Sequence, residues 1–179
     1  MSGRFIAVVG ASGVGKDSFM TALAAQHPAI CLARRVVTRP QSAGGEDFDS
    51  VSAEQFAALE SQQAFALSWS AHGLHYGVRN TVEDDLAAGR DVVANLSRAV
   101  LRDMQSRFTP NATILLTADR KALAQRLRTR ARETEKEIAR RLERADFAVP
   151  SDISVIHIDN SGPLADTVAQ ALAVLYPAT

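Results

Sequence analysis

The densest chemistry in the chain lies near its start. Gly10-Ala-Ser-Gly-Val-Gly-Lys16 fits the spacing G-x-x-x-x-G-K. Glycines at those positions let backbone N–H groups turn inward around an anion, and the lysine sets a positive charge beside it. A predicted strand precedes the loop and a predicted helix follows, so the helix N-terminus adds its own positive potential. Asp17 and Ser18 come next, and each carries a hard oxygen of the kind Mg²⁺ prefers. Two readings stand here. Asp17 binds the metal directly or through water, or Asp17 is a helix N-terminal aspartate and Ser18 supplies the ligand. The loop is therefore expected to hold ATP through Gly10, Ala11, Ser12, Gly13, Val14, Gly15, Lys16, Asp17 and Ser18, with Mg²⁺ at Asp17 or Ser18.

Cations that could meet further phosphate lie downstream. Ten of the twenty Lys and Arg residues fall between Arg120 and Arg144, interleaved with Glu133, Glu135, Glu137 and Glu143. A run of this kind reads as solvated helices carrying i,i+4 ion pairs, or as a cationic surface that closes over a transferring phosphoryl group. On the second reading Arg130 and Arg141 join Lys16 as catalytic residues, with Arg126 and Arg132 in support. Arg39, in Val37-Thr38-Arg39-Pro40, can make a bidentate clamp on an acceptor phosphate. Arg34 and Arg35 precede it, and at least one of them reads as an ordinary strand-edge charge. Tyr76 can donate a hydrogen bond or simply pack. His72 sits in a loop, and Trp69 reads as core. Asn95, Ser97 and Arg98 fall at a predicted strand end, where open α/β sheets gather their ligands. His27, His75 and His157 carry no functional expectation, and no zinc-type Cys/His spacing occurs.

These residues need a scaffold, and the hydropathy pattern supplies one. Strands are predicted at 4–9, 91–96, 113–117 and 154–158, and helices at 15–26, 53–61, 81–88, 98–107, 119–129, 135–147 and 164–175. Ser52 with Gln55 forms a capping-box signature at the start of 53–61. Strand and helix alternate, and the central strands are apolar on both faces. That combination predicts an α/β fold, a parallel sheet flanked by helices. The stretch 34–80 breaks the rhythm: 38–50 reads as a loop and 65–78 as short strands. The expected organisation is a single domain over 1–179, with an acceptor-binding flap at about 34–80 and a helical lid at about 126–144.

Composition narrows the classes. The formal net charge is zero, which gives a nucleic-acid partner no support. Cys31 is the single cysteine, so no internal disulfide is possible and a reducing compartment is expected. No apolar run approaches a membrane span and no signal peptide precedes the first strand. A cytoplasmic protein is expected.

Taken together, the motifs resemble the guanylate-kinase-like branch of the P-loop kinases, nearly end to end. The loop Gly10–Lys16, the segment 37–40, the pair Tyr76-Gly77, the basic stretch Arg130-Ala-Arg132-Glu133, Arg140-Arg141-Leu142 and Asn160 fall in the family's order. The resemblance implies that Asn160 and Arg126 lie near the bound ATP. Guanylate kinases carry a guanine-reading Glu after a Phe, but Phe65-Ala-Leu-Ser-Trp69 holds no acid. Val78 follows Tyr76-Gly77 where they have Ser or Thr, and no second Arg follows Arg39. The sequence is more similar to the ribose 1,5-bisphosphate phosphokinase family. That likeness rests on residues 15–18, 37–46, 67–77 and Asn95-x-Ser97-Arg98-Ala99. It implies transfer of the ATP γ-phosphate to a phosphorylated sugar in bacterial phosphonate breakdown. It also implies acceptor contacts from Arg39, His72, Tyr76, Asn95, Ser97 and Arg98.

Overall fold

The computed structural model describes residues 2–40, 47–129 and 148–177, of which 127–129 by backbone alone. Arg130, Arg132, Arg140 and Arg141, the predicted helix 135–147 and the Gly44-Gly45-Glu46 turn lie outside the described residues.

Five strands build a parallel sheet: β1 (Phe5–Val9), β2 (Ile30–Leu32), β7 (Asp91–Asn95), β8 (Asn111–Thr117) and β9 (Ile156–Asp159), in the order β2-β7-β1-β8-β9. Every residue of β1 and β7 is buried, because helices or a second sheet cover both faces. Alternation divides the core in two. Phe5, Ala7, Val9, Val92 and Ala94 face one way, toward α3 (Val82–Ala87), α4 (Leu101–Arg107) and the base of the second sheet. Ile6, Val8, Val93, Ile114 and Leu116 face the other way. There they meet Phe19, Met20 and Leu23 of α1 (Lys16–Gln26), Leu123 of α5 (Arg120–Thr129), and Val168, Ala171 and Leu175 of α6 (Leu164–Leu175). Spacings of three, four and seven along α1 and α6 put these side chains on one stripe.

The second sheet runs β4 (Asp49–Ser50), β3 (Arg35–Val37), β6 (Leu74–Arg79), β5 (Phe65–Ala71). β5 and β6 form a hairpin closed by His72 and Gly73, both at positive φ (53° and 75°). Two successive residues of that hand match the right-handed twist of the paired strands. On the outer face lies α2 (Ala53–Ser61), entered through the predicted capping box, with Gln55 N–H donating to Ser52 Oγ at 3.1 Å. Phe56 of α2 stacks on Phe65, whose ring lies so close to Gly77 that a Cβ there would meet it at 2.6 Å. The Tyr76-Gly77 pair thus has a packing reason for its glycine.

Within the predicted loop 38–50 the two-residue strand β4 pairs in parallel with β3. The predicted helix 98–107 opens with a 3-10 turn at Arg98–Val100 before α4 begins.

Candidate active site

In-register pairing aligns the carboxyl ends of the central strands. Val8 sits opposite Asn95, Val9 opposite Leu115, and Thr117 opposite Asp159. Gly10, Leu96 and Asn160 consequently leave the sheet along one edge, where ligands of open α/β sheets bind.

The loop after β1 carries Gly10, Gly13 and Gly15 at positive φ. At Gly15 the need for glycine is double: φ is 98°, and a Cβ would lie 2.8 Å from Asn160 Nδ2. Gly15 is the N-cap of α1, so the first N–H groups of that helix open on the loop. Lys16 Nζ donates to the carbonyls of Gly10 (2.9 Å) and Ala11 (3.1 Å), which brings its charge across the loop mouth.

A second layer fixes the loop's shape. The Val14 carbonyl accepts from Asn160 Nδ2 at 2.8 Å and from Arg126 Nη1 at 3.2 Å. Arg126 Nη2 also reaches the Asn160 carbonyl at 2.5 Å, and Thr167 Oγ1 donates to Asn160 Oδ1 at 2.9 Å. Asn160 is buried, so its amide is committed to this lattice. Sequence reasoning placed Arg126 and Asn160 beside the nucleotide. The structure gives both a further task, holding the loop from behind. Beside them opens a cleft of about 540 Å³ lined by Gly13, Gly15, Ser18, Ala122, Gln125, Arg126, Asn160, Ser161 and Leu164. Gln125, Ser161 and Leu164 were missed in the sequence; the signal available was their adjacency to Arg126 and Asn160.

The residues fit a nucleotide with Mg²⁺. The loop keeps its turn around an anion only with Gly10 and Gly15 bare, since a Cβ would strike the Leu116 carbonyl oxygen at Gly10 and Asn160 Nδ2 at Gly15. Asp17 and the exposed Ser18 provide hard oxygens at the start of α1. Asn95 Nδ2 donates to Asp17 Oδ1 at 3.1 Å. Among the described residues no cluster of three or more His, Cys, Asp or Glu is placed to hold a metal.

On the second sheet the predicted acceptor residues are placed as follows. Arg39 follows β3 with its guanidinium 4.6 Å from the Phe48 ring centroid, and its buried Nε has no hydrogen-bond partner among the described residues. It borders a second cleft of about 590 Å³ shared with Thr38, Ser52 and His75. Tyr76 stacks on Trp69 across the hairpin with ring centroids 5.4 Å apart. His72 is exposed at the hairpin tip. Ser97 Oγ accepts from Ala99 N–H at 3.3 Å, capping the 3-10 turn, and Arg98 Nη1 donates to the Ala148 carbonyl at 3.2 Å. Of the two arginines before the clamp, Arg34 is the surface charge, paired with Asp49 (2.8 Å) and Asp47 (3.1 Å). Arg35 points the opposite way, over Tyr76.

A phosphate loop at the carboxyl edge of a parallel sheet, joined to a small, mostly antiparallel sheet with Arg39 at the end of one strand, defines a P-loop phosphotransferase of the nucleoside-monophosphate-kinase type. Comparison with known proteins agrees. The guanylate kinase family model matches residues 2–162. A ribose 1,5-bisphosphate phosphokinase PhnN from a Ruegeria species is 45% identical over 97% of this chain and 92% of its own. The same-named protein of Agrobacterium fabrum is 43% identical over 95% and 94%. The crystal structure of guanylate kinase from Anaplasma phagocytophilum superposes with a TM-score of 0.65 at 18% identity, over 97% of this chain and 85% of that one, a likeness of fold. The chain belongs to the guanylate kinase family and, within it, to the ribose 1,5-bisphosphate phosphokinases.

Proposed function

We propose that the chain transfers the γ-phosphoryl group of ATP to the 1-phosphate of ribose 1,5-bisphosphate, giving ADP and 5-phosphoribosyl 1-diphosphate, with Mg²⁺ as the metal. The observation that carries this reading is the wall of the second sheet. Leu67 and Val78 are paired across it and buried, and neither offers a hydrogen bond to a nucleobase edge. Ser68, next to Leu67 in the chain, turns to the outer face and donates to Glu60 Oε1 at 2.9 Å. A base placed there leaves its donors unpaired, at about 1–3 kcal/mol each. A sugar phosphate has no base edge to set against this wall, and its few hydroxyls can turn to water or to other polar groups. It needs cations, and Arg39 offers a buried Nε that has no hydrogen-bond partner among the described residues.

The chemistry follows from the acceptor. A phosphate oxygen is already ionised at neutral pH, so alignment and charge stabilisation carry the rate and no strong general base is required. Lys16 lies against the β- and γ-phosphates and stabilises charge as the bond to the γ-phosphorus breaks and the acceptor oxygen takes its place. Mg²⁺, when bound, would offset phosphate charge during the transfer. Asp17 or Ser18 would hold it, and Arg130 and Arg141 clamp the moving phosphoryl group with help from Arg126 and Arg132. Arg39 clamps the acceptor phosphate, and Tyr76, His72, Asn95, Ser97 and Arg98 complete the acceptor side. Among the described residues no helix is long and apolar enough to cross a membrane, and we place the enzyme in the cytoplasm with a small phosphorylated sugar as its partner molecule.

The test is identification of the product. Incubation with Mg-ATP and ribose 1,5-bisphosphate should give coupled diphosphate resonances in the ³¹P NMR spectrum together with ADP. ADP without a sugar diphosphate would overturn the proposal.

A further inference from the structure

We propose that Arg35 binds the acceptor phosphate that takes no part in the transfer, and so makes the site selective for a sugar phosphorylated at both ends. This rests on the sugar-phosphate reading above and names a residue that reading did not use.

Strand alternation decides which way Arg35 points. Arg34 lies on the outer face with its aspartate partners, so Arg35 and Val37 lie on the inner one. The same face carries Leu67 and Val78, which join the core against Leu96 and Val100 at the exit of β7. Arg35 is in register with Val78, and Val78 with Leu67. The three form one row across the sheet: a cation followed by two apolar side chains. The next row is Val37, Tyr76 and Trp69. The Arg35 guanidinium reaches over it, 5.2 Å from the Tyr76 centroid and 5.9 Å from that of Trp69.

This arrangement does two things for an anion. Two aromatic faces hold the guanidinium plane, so less rotamer freedom is lost when its N–H groups engage a ligand. The apolar neighbours lower the local dielectric, which strengthens a charge pair made there. Arg39 lies past the end of β3 and borders the cleft on the α2 side, so it does not share this face. The inner wall instead adjoins Leu96 at the exit of β7, where Asn95 meets Asp17 beside Lys16, so a pentose with one phosphate toward Lys16 can present the other to Arg35. A nucleotide would instead set its base against Leu67, Val78 and a cation.

The experiment compares two acceptors, ribose 1,5-bisphosphate and ribose 1-phosphate, in wild type and Arg35→Gln. The variant should lose about 30-fold or more in kcat/KM for the bisphosphate, the range of a lost charge-assisted hydrogen bond. Its kcat/KM for ribose 1-phosphate and its KM for ATP should stay within about threefold, because neither substrate carries the group Arg35 holds. Equal loss with both acceptors, or no loss with either, overturns the assignment of Arg35 while leaving the function standing. A wild type that ignores ribose 1,5-bisphosphate overturns both. A second measurement needs no variant. Trp69 is the sole tryptophan, so ribose 5-phosphate, which carries the remote phosphate alone, should shift wild-type fluorescence and should compete with the bisphosphate. Ribose 1-phosphate should give a much smaller shift. Absence of any response to ribose 5-phosphate overturns the proposal even where Arg35→Gln fails to fold.

Discussion

Asn95, at the end of β7, donates from Nδ2 to Asp17 Oδ1 at 3.1 Å and so ties the acceptor-side strand end to the first turn of α1. Asn95 is buried, and its bond occupies one of the two oxygens of the Asp17 carboxylate. The sequence suggested separate partners for the two, Mg²⁺ for Asp17 and the sugar for Asn95. Their contact gives Asn95 a second task, support of the carboxylate, beside the acceptor contact proposed for it.

Removing that support should act on the metal. Asn95→Ala is expected to raise the Mg²⁺ concentration for half-maximal turnover by about 10-fold, the low end for an outer-sphere partner of a metal ligand. Asp17→Ala should raise it at least as much. Titration of turnover with Mg²⁺ at fixed ATP checks both. An unchanged Mg²⁺ requirement in Asn95→Ala with a raised KM for the acceptor would instead return Asn95 to the sugar.

The Val14 carbonyl gives a second expectation. Asn160→Ala removes the donor to Val14 and the nearest acceptor of the buried Thr167 hydroxyl, which keeps only longer bonds to the Pro163 and Asp159 carbonyls (3.3 and 3.4 Å). A loss of about 1–3 kcal/mol in urea unfolding should accompany a raised KM for ATP, with the acceptor KM little changed. Arg126→Ala should raise the KM for ATP with a smaller loss of stability, since the residue is only half-buried.

The opposite end of the sheet sets the pH range of the fold. Burial pushes the Asp91 carboxyl up. Hydrogen bonds from the Tyr176 hydroxyl (2.6 Å) and from Arg4, with Arg4's charge, more than offset this and leave Asp91 below the usual carboxylate range. Its stabilisation is therefore full above about pH 4 and lost as pH falls through the lowered value. Tyr176, half-buried and bonded to Asp91, is pushed up to about 12. Its contribution is present below about pH 10 and fades as pH rises toward that value. Tyr176→Phe should move the acid-unfolding midpoint to higher pH and cost about 1–2 kcal/mol at pH 7. Circular dichroism across pH 2–8 checks this, and coincident acid midpoints for the two proteins would refute it.

The parallel sheet and the phosphate loop were legible because their signals are local. Apolar runs such as Phe5–Val9 and the glycine spacing of 10–16 are each contained within one short segment. The second sheet was legible only as a break in rhythm. Ile30–Leu32 and Arg35–Val37 are three residues each, too short for periodicity, and they enter different sheets according to partners sixty and forty residues away. Side-chain roles were hidden for the same reason. Nothing near Arg35 in sequence shows the Trp69–Tyr76 platform, and nothing near Asn160 shows that its amide reaches back to Val14.

Lys16 tests the nucleotide side independently of the acceptor. Lys16→Ala should retain the fold and lose turnover by orders of magnitude, because its ammonium offsets charge that develops during transfer. Near-normal turnover in a folded variant would contradict the phosphotransferase chemistry itself.

The acceptor remains the centre of the account, and one comparison addresses it directly: steady-state kcat/KM for ribose 1,5-bisphosphate and for GMP, measured on the same preparation at saturating Mg-ATP. A wall of Leu67 and Val78 with Ser68 turned away leaves at least two base donors unpaired, which at about 1–3 kcal/mol each is a preference of roughly 30-fold to above 10⁴-fold. The predicted result is a preference for the bisphosphate within or beyond that range. Equal or better use of GMP would contradict it and make the chain a nucleotide kinase.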